Sequence, residues 1–143
     1  MGKQYKLRGI NDDHNTCEVC GKTNLKKVMW ISEVTQDGET LDPFAAGTTC
    51  GANLLGVATS RTSRAEAERK VSELAINQIE KAVELFVAEH CWMRGNMYLP
   101  KDMGFILVEA QRAGNIQIFI DERNKRYPLL DSSLPVETRI KYA

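Results

Sequence analysis

The sequence predicts an α+β fold: an N-terminal finger made of a β-hairpin and a short helix, then a long helix and a small α/β C-terminal part. Three observations carry that prediction. Cys17-Glu18-Val19-Cys20-Gly21-Lys22 and Cys50 bracket a β-rich run; apolar residues from Val71 to Phe86 recur at three- and four-residue steps; and Ile116, Ile118 and Ile120 alternate with Gln117, Phe119 and Asp121. At 143 residues the chain suffices for one core and is short for two. Residues 1–60 and 61–143 are therefore read as two parts of one unit.

The first element is an edge strand near Tyr5 to Leu7, and the polar run Asn11-Asp12-Asp13-His14-Asn15 makes a loop that carries His14 toward Cys17. From Leu25 to Val34 the residues favour a strand, and Gln36-Asp37-Gly38-Glu39 supplies the turn of a hairpin. The return strand, Thr40 to Phe44, is short and contains Pro43, which has no ladder donor and suits an edge. Thr48 or Thr49 then caps a helix of about two turns that Gly56 closes, with Cys50 in its first turn.

Ser63 and Glu66 form a capping box that opens the longest helical pattern, running to about Cys91. Val71, Ala75, Ile79, Ala82, Phe86 and His90 share one face. A helix of about 27 residues is ~40 Å long, more than a domain of this size requires. The stripe Val71, Ile79, Val83 and Phe86 is thus a candidate face for a homodimer or a docked partner. Further on, Pro100 and Asp102 open a helix bearing Met103, Ile106, Leu107 and Ala110 that stops at Gly114, with a strand over Phe105 to Val108 as the alternative. The alternating isoleucines predict a strand with a buried face. The tail from Tyr127 to Ala143, with Pro128 and Pro135, is expected to run irregularly over the surface.

Nineteen basic residues balance nineteen acidic ones, so no global field draws the protein to nucleic acid or to an anionic membrane. The longest apolar runs fall far short of the ~20 residues of a membrane span, and Met1 to Lys6 lacks the apolar stretch of a secretory signal. The expected compartment is the cytoplasm. There, thiols stay reduced and close cysteine pairs bind metal.

Cys17 and Cys20 have the C-x2-C spacing that lets two thiolates converge on one tetrahedral ion, and Gly21 permits the turn behind them. Cys50 adds specificity, because the hairpin folds it back onto the knuckle and helix-start amides favour a thiolate. The ion expected is zinc. Four unligated cysteines buried in a reduced core are the competing explanation. The run Cys-x2-Cys-Gly-Lys, a hairpin, then Gly47-Thr-Thr-Cys50-Gly-Ala-x-Leu-Leu-Gly resembles small zinc-finger proteins of phages and plasmids, treble-clef or zinc-ribbon in type, over roughly residues 4–57. The resemblance implies a metal-binding accessory protein of a mobile element, carries no known reaction, and places the protein in the host cytoplasm.

A usual treble clef takes two ligands from its second knuckle, but Asn53 stands where a further cysteine would be. His14, three residues before Cys17, is the favoured fourth ligand; His90, Cys91, an oxygen ligand and water are the alternatives. If the two helices pack antiparallel, His90 and Cys91 lie about 25 to 30 Å along the long helix from the level of Cys50, out of reach.

Two basic clusters flank the finger: Lys22, Lys26 and Lys27 around Trp30, and Arg61, Arg64, Arg69 and Lys70 at the start of the long helix. They are candidate contacts to phosphates or to a partner, with Trp30 stacking on a base. A solvated face interrupted by Glu66 and Glu68 is the plainer explanation, since residues 1–70 hold ten basic and nine acidic side chains. No phosphate loop, nucleophile elbow or His-Glu-x-x-His occurs. The reading favoured is a non-enzymatic zinc-binding interaction protein that binds or inhibits a host protein or nucleoprotein. A nucleic-acid-binding zinc finger is the alternative, and an enzyme with an open zinc position is the weaker one.

Overall fold

The computed structural model describes residues 3–143 and shows an α+β arrangement of helices and small antiparallel sheets. The first sheet has the order β1-β2-β3, formed by Gln4–Asn11, Val28–Val34 and Phe44–Ala46. Strand β2 is central and paired along both edges, and Val28, Met29, Ile31 and Ser32 are all buried. Strand β1 is an edge as expected, but it runs on to Asn11, with an irregularity in its register on β2 between Leu7 and Gly9. The polar loop is correspondingly shorter.

Gly38 turns at φ +84 between β2 and the return chain. The return strand differs from expectation. Thr40 makes only an isolated bridge to Val34, and β3 begins at Phe44, just past Pro43. Pro43 has no N–H for the ladder, so pairing starts after it. Helix α1, Thr48–Leu54, follows at once; its N-cap is Gly47, not a threonine, and no side chain caps it. Gly56, at φ +76, lies just beyond its end.

Helix α2, Arg64–His90, is 27 residues long, and the Ser63 hydroxyl accepts from the Glu66 N–H at its start. Its face Ala67, Val71, Ala75 and Ile79 is buried against Leu7, Met29, Ile31, Ala46 and Ala52. This corrects the proposed helix interface. Val71 and Ile79 are each 3% exposed and belong to the interior, while Val83 and Phe86 pack on the same core and Phe86 meets the Tyr127 ring at 5.1 Å. The helix is long because it joins two cores. Beyond the first, Leu99, Met103, Ala110 and Phe119 form a second cluster near its C-terminal end.

That second cluster is built from elements the sequence only partly disclosed. Strands β4, Cys91–Arg94, and β5, Met97–Pro100, form a hairpin turning at Gly95 and Asn96. A 3-10 turn, Lys101–Met103, leads into α3, Gly104–Arg112, so the helix prevails over the strand at Phe105 to Val108. The isoleucine strand is overturned: residues 116–120 open α4, Ile116–Arg126. Ile116 and Ile118 are exposed, and the buried residue is Phe119. Asn115 caps the helix by accepting from the Gln117 N–H, and Gln117 to Asp121 and Arg126 to Glu122 link successive turns.

The tail is corrected as well. It forms 3-10 turns at Pro128–Leu130 and Ile140–Tyr142 and a helix α5, Val136–Arg139, and it buries Leu129, Leu130 and Ile140. Ile140 joins the same core as Leu7 and Ile79. No helix among the described residues is long and apolar enough to cross a membrane.

Candidate metal centre

The thiols of Cys17, Cys20 and Cys50 converge, all three sulfurs lying within 4.8 Å of one another. A tetrahedral ion with metal–sulfur bonds of ~2.3 Å requires sulfurs about 3.8 Å apart, which this cluster meets with little movement. The knuckle is built locally. Gly21 N donates to Cys17 O at 2.8 Å, Cys17 N donates to Lys22 O at 2.8 Å, and Gly21 takes φ +81, where a side chain would be strained.

Long-range hydrogen bonds fix the knuckle to the sheet. Glu18 N donates to Ala45 O at 2.9 Å, and the Glu18 carboxylate accepts from Ala45 N at 2.5 Å. Ala45 lies in β3, two residues before the Gly47 cap of α1, so the same segment carries Cys50 to the other two thiols. Gly47 is buried beside Leu25 and Cys17. Gly51 makes the second close approach: a Cβ there would stand 2.1 Å from Met29 Cε and 3.1 Å from Ile31 Cδ1, so α1 lies directly on β2.

The electrostatics separate the three sulfurs. Burial pushes the Cys17 thiol up, but the backbone amides of Gly47, Cys20 and Val19, with the Cys20 thiol, outweigh it and bring it down to about 7. Cys50 is pushed up to about 12 by burial and by the neighbouring Cys20 and Cys17 sulfurs. Amides aimed at one sulfur while a second sulfur is repelled by its neighbours is the field that a cation among them would satisfy. All four cysteines are free of disulfides.

His14 is not part of the cluster. It is exposed, and its ring lies 6.1 Å from that of Trp30. His90 and Cys91 are also outside it. His90 packs on the Phe86 ring at 4.9 Å, and Cys91 is buried at the start of β4. Among the described residues no fourth histidine, cysteine or carboxylate joins the three.

The predicted contact residues divide. Lys22, Lys27 and Arg64 line the cavity at the thiols, and Lys26, Lys27 and Arg64 line the adjoining one. Lys27 is paired with Glu137 at 2.9 Å and Arg64 with Glu68 at 3.3 Å. Arg69 is held by both Glu66 and Glu73. Trp30 is half-buried and donates from Nε1 to Asn11 Oδ1 at 2.8 Å, so its ring is a strut of the sheet. Arg61 is exposed, Lys70 is half-buried, and neither lines the two cavities. Sequence reasoning missed Glu18 and Gly47 as the residues that position the thiols, and nothing in local spacing marks them.

The class that fold and site define is an α+β protein with a three-cysteine cluster able to hold a metal ion. No protein-family model, curated protein or solved structure matches the chain.

Proposed function

We propose that Cys17, Cys20 and Cys50 hold a zinc ion, and that the protein is a non-enzymatic zinc-binding interaction protein of a mobile element, acting on a host protein or nucleoprotein. The observation that carries the metal is the convergence of three reduced sulfurs from two separated segments. An all-sulfur set favours zinc over hard cations such as magnesium or calcium. The order of knuckle, hairpin strands and cysteine-bearing helix supports a treble-clef-like reading with one ligand fewer. The resemblance of this motif to small zinc fingers of phages and plasmids supports the mobile-element assignment.

The ion is structural in this reading, since it ties the knuckle to α1 where that helix meets β2 and α2. Elemental analysis of the purified protein is expected to give about one zinc per chain. Cys17→Ser and Cys50→Ser should lose metal and much of the fold, while Cys91→Ser should keep the metal. A folded, metal-free preparation would refute the zinc centre. The nucleic-acid alternative loses carriers, because Trp30 and Arg69 are engaged within the chain. A binding curve for DNA or RNA that collapses between low and moderate salt would restore it.

A further inference from the structure

The two sheets have outer edges at β1, β3, β4 and β5, and the chain itself covers all but one of them. Gln78 binds both backbone groups of Leu7 on β1, and Glu18 binds both of Ala45 on β3. The outer edge of β5 receives Arg123, which donates to Tyr98 O at 3.4 Å. Uncovered edges recruit further strands. Strand β4 is such an edge: Trp92 is 59% and Met93 52% exposed, and Arg94 is exposed beside them.

The hairpin register tells which backbone groups of β4 are free. Gly95 takes φ +60 and Asn96 has no positive φ, as in a two-residue type II′ turn between Arg94 and Met97. Those two residues therefore exchange the first pair of ladder hydrogen bonds. Bonded pairs alternate along an antiparallel ladder, so Trp92 and Leu99 form the next, while Met93 and Tyr98 turn their N–H and C=O outward. The Arg123 bond to Tyr98 O has this phase. Cys91 N–H is already bound to Val87 O. Met93 keeps both outward groups without a backbone partner among the described residues.

We propose that β4 is a homodimer edge, two copies of the chain pairing antiparallel about a two-fold axis at Met93 and joining their hairpins into one four-stranded sheet. Each Met93 N–H donates to the Met93 C=O of the other copy. The choice of a second copy follows from what that axis brings together. With Met93 opposite itself, Trp92 of each copy stands directly opposite Arg94 of the other, on the same face and in the closer of the two cross-strand positions. A guanidinium over an indole is a favourable contact, and the two-fold axis makes it twice. Arg94 is exposed and makes no ion pair among the described residues, so it is available. The strand is four residues long, which puts the dimer in the class of small, transient interfaces.

Sedimentation velocity of the full chain as purified, over a concentration series reaching about 1 mM, tests the pairing. It should show a monomer–dimer equilibrium with a dissociation constant on the order of 100 μM. Met93→Pro removes the outward N–H while breaking no bond of the hairpin, and should leave a monomer at every concentration. Arg94→Glu should weaken association about five- to thirtyfold. Adding Trp92→Lys to Arg94→Glu sets a lysine opposite each glutamate and should recover association several-fold. The proposal is overturned by a monomer throughout the series, by a dimer that Met93→Pro leaves intact, by Arg94→Glu associating like wild type, or by no recovery in the double variant. Circular dichroism verifies the fold of each variant; Arg94 is a surface residue, so Arg94→Glu and the double variant decide the matter even if Met93→Pro does not fold.

Discussion

The side chain of Gln78 holds both backbone groups of Leu7: Leu7 N donates to Gln78 Oε1 at 3.2 Å, and Gln78 Nε2 donates to Leu7 O at 3.0 Å. Leu7 is fully buried in edge strand β1, next to the irregularity in its register on β2. One residue of α2 thus serves as a partial strand, satisfying groups that would otherwise be buried without partners. Gln78→Leu keeps the size of the side chain and removes both bonds. It should cost about 1–3 kcal/mol. Urea denaturation should show a lower midpoint with an unchanged slope.

The contact of Gly51 with β2 predicts a graded series. A methyl at Gly51 collides first with Met29 Cε, the free end of a flexible side chain, and stands 3.1 Å from Ile31 Cδ1, closer than ordinary contact, so that side chain must give by a few tenths of an ångström. Gly51→Ala gains about 1 kcal/mol of helix propensity, which offsets much of the cost of moving Met29. Gly51→Val has no such offset and should lose about 1–3 kcal/mol by overpacking. Because α1 carries Cys50, that variant should also bind metal more weakly in competition with a chelator, whereas Gly51→Ala should stay close to wild type.

The opposed thiols of Cys17 and Cys50 set a pH dependence. Metal binding needs thiolates, so it displaces any proton a ligand still holds. Between pH 7 and 9 Cys50, held near 12, remains protonated, and affinity should rise at least about tenfold per pH unit. Below 7 Cys17 also holds its proton, and the slope should steepen to about a hundredfold or more. Chelator competition at several pH values measures both slopes.

The convergence of Cys17, Cys20 and Cys50 was legible in the sequence because the C-x2-C spacing and the hairpin before Cys50 constrain it directly, and Ser63, Glu66 and Gly114 marked helix ends through their own caps and turns. The alternation of Ile116, Ile118 and Ile120 imitates a period of two while the packed residue is Phe119, and among the described residues these positions pair with no strand. The helical signals were polar: Asn115 as cap, with Gln117 and Asp121, and Glu122 and Arg126, four apart. At Gly95 and Asn96 a turn between Trp92 and Tyr98 marked the missed hairpin. Arg64 lines the cavity at the thiols, as its place in the second basic cluster suggests, but that it does so and Arg61, Arg69 and Lys70 do not was not legible. Its place depends on how α2 packs against α1, which no local pattern encodes.

In the tail the prolines open structure where the sequence suggests an irregular run: Pro128 begins a 3-10 turn and Pro135 immediately precedes α5, positions where a missing N–H costs nothing. What they position is Ile140, 1% exposed and packed in the core with Leu7 and Ile79. The tail is further tied by Arg139 donating to Leu129 O at 2.6 Å, by Lys6 donating to Ala143 O at 3.2 Å and by the Lys27–Glu137 pair. The Lys27–Glu137 pair is exposed and worth little by itself, so burial of Ile140 dominates. Ile140→Ala should destabilise by about 2–5 kcal/mol, whereas Glu137→Ala should cost less than about 1 kcal/mol. Denaturation of the two variants side by side measures the contrast, and equal small effects would mean that the tail lies on the surface after all.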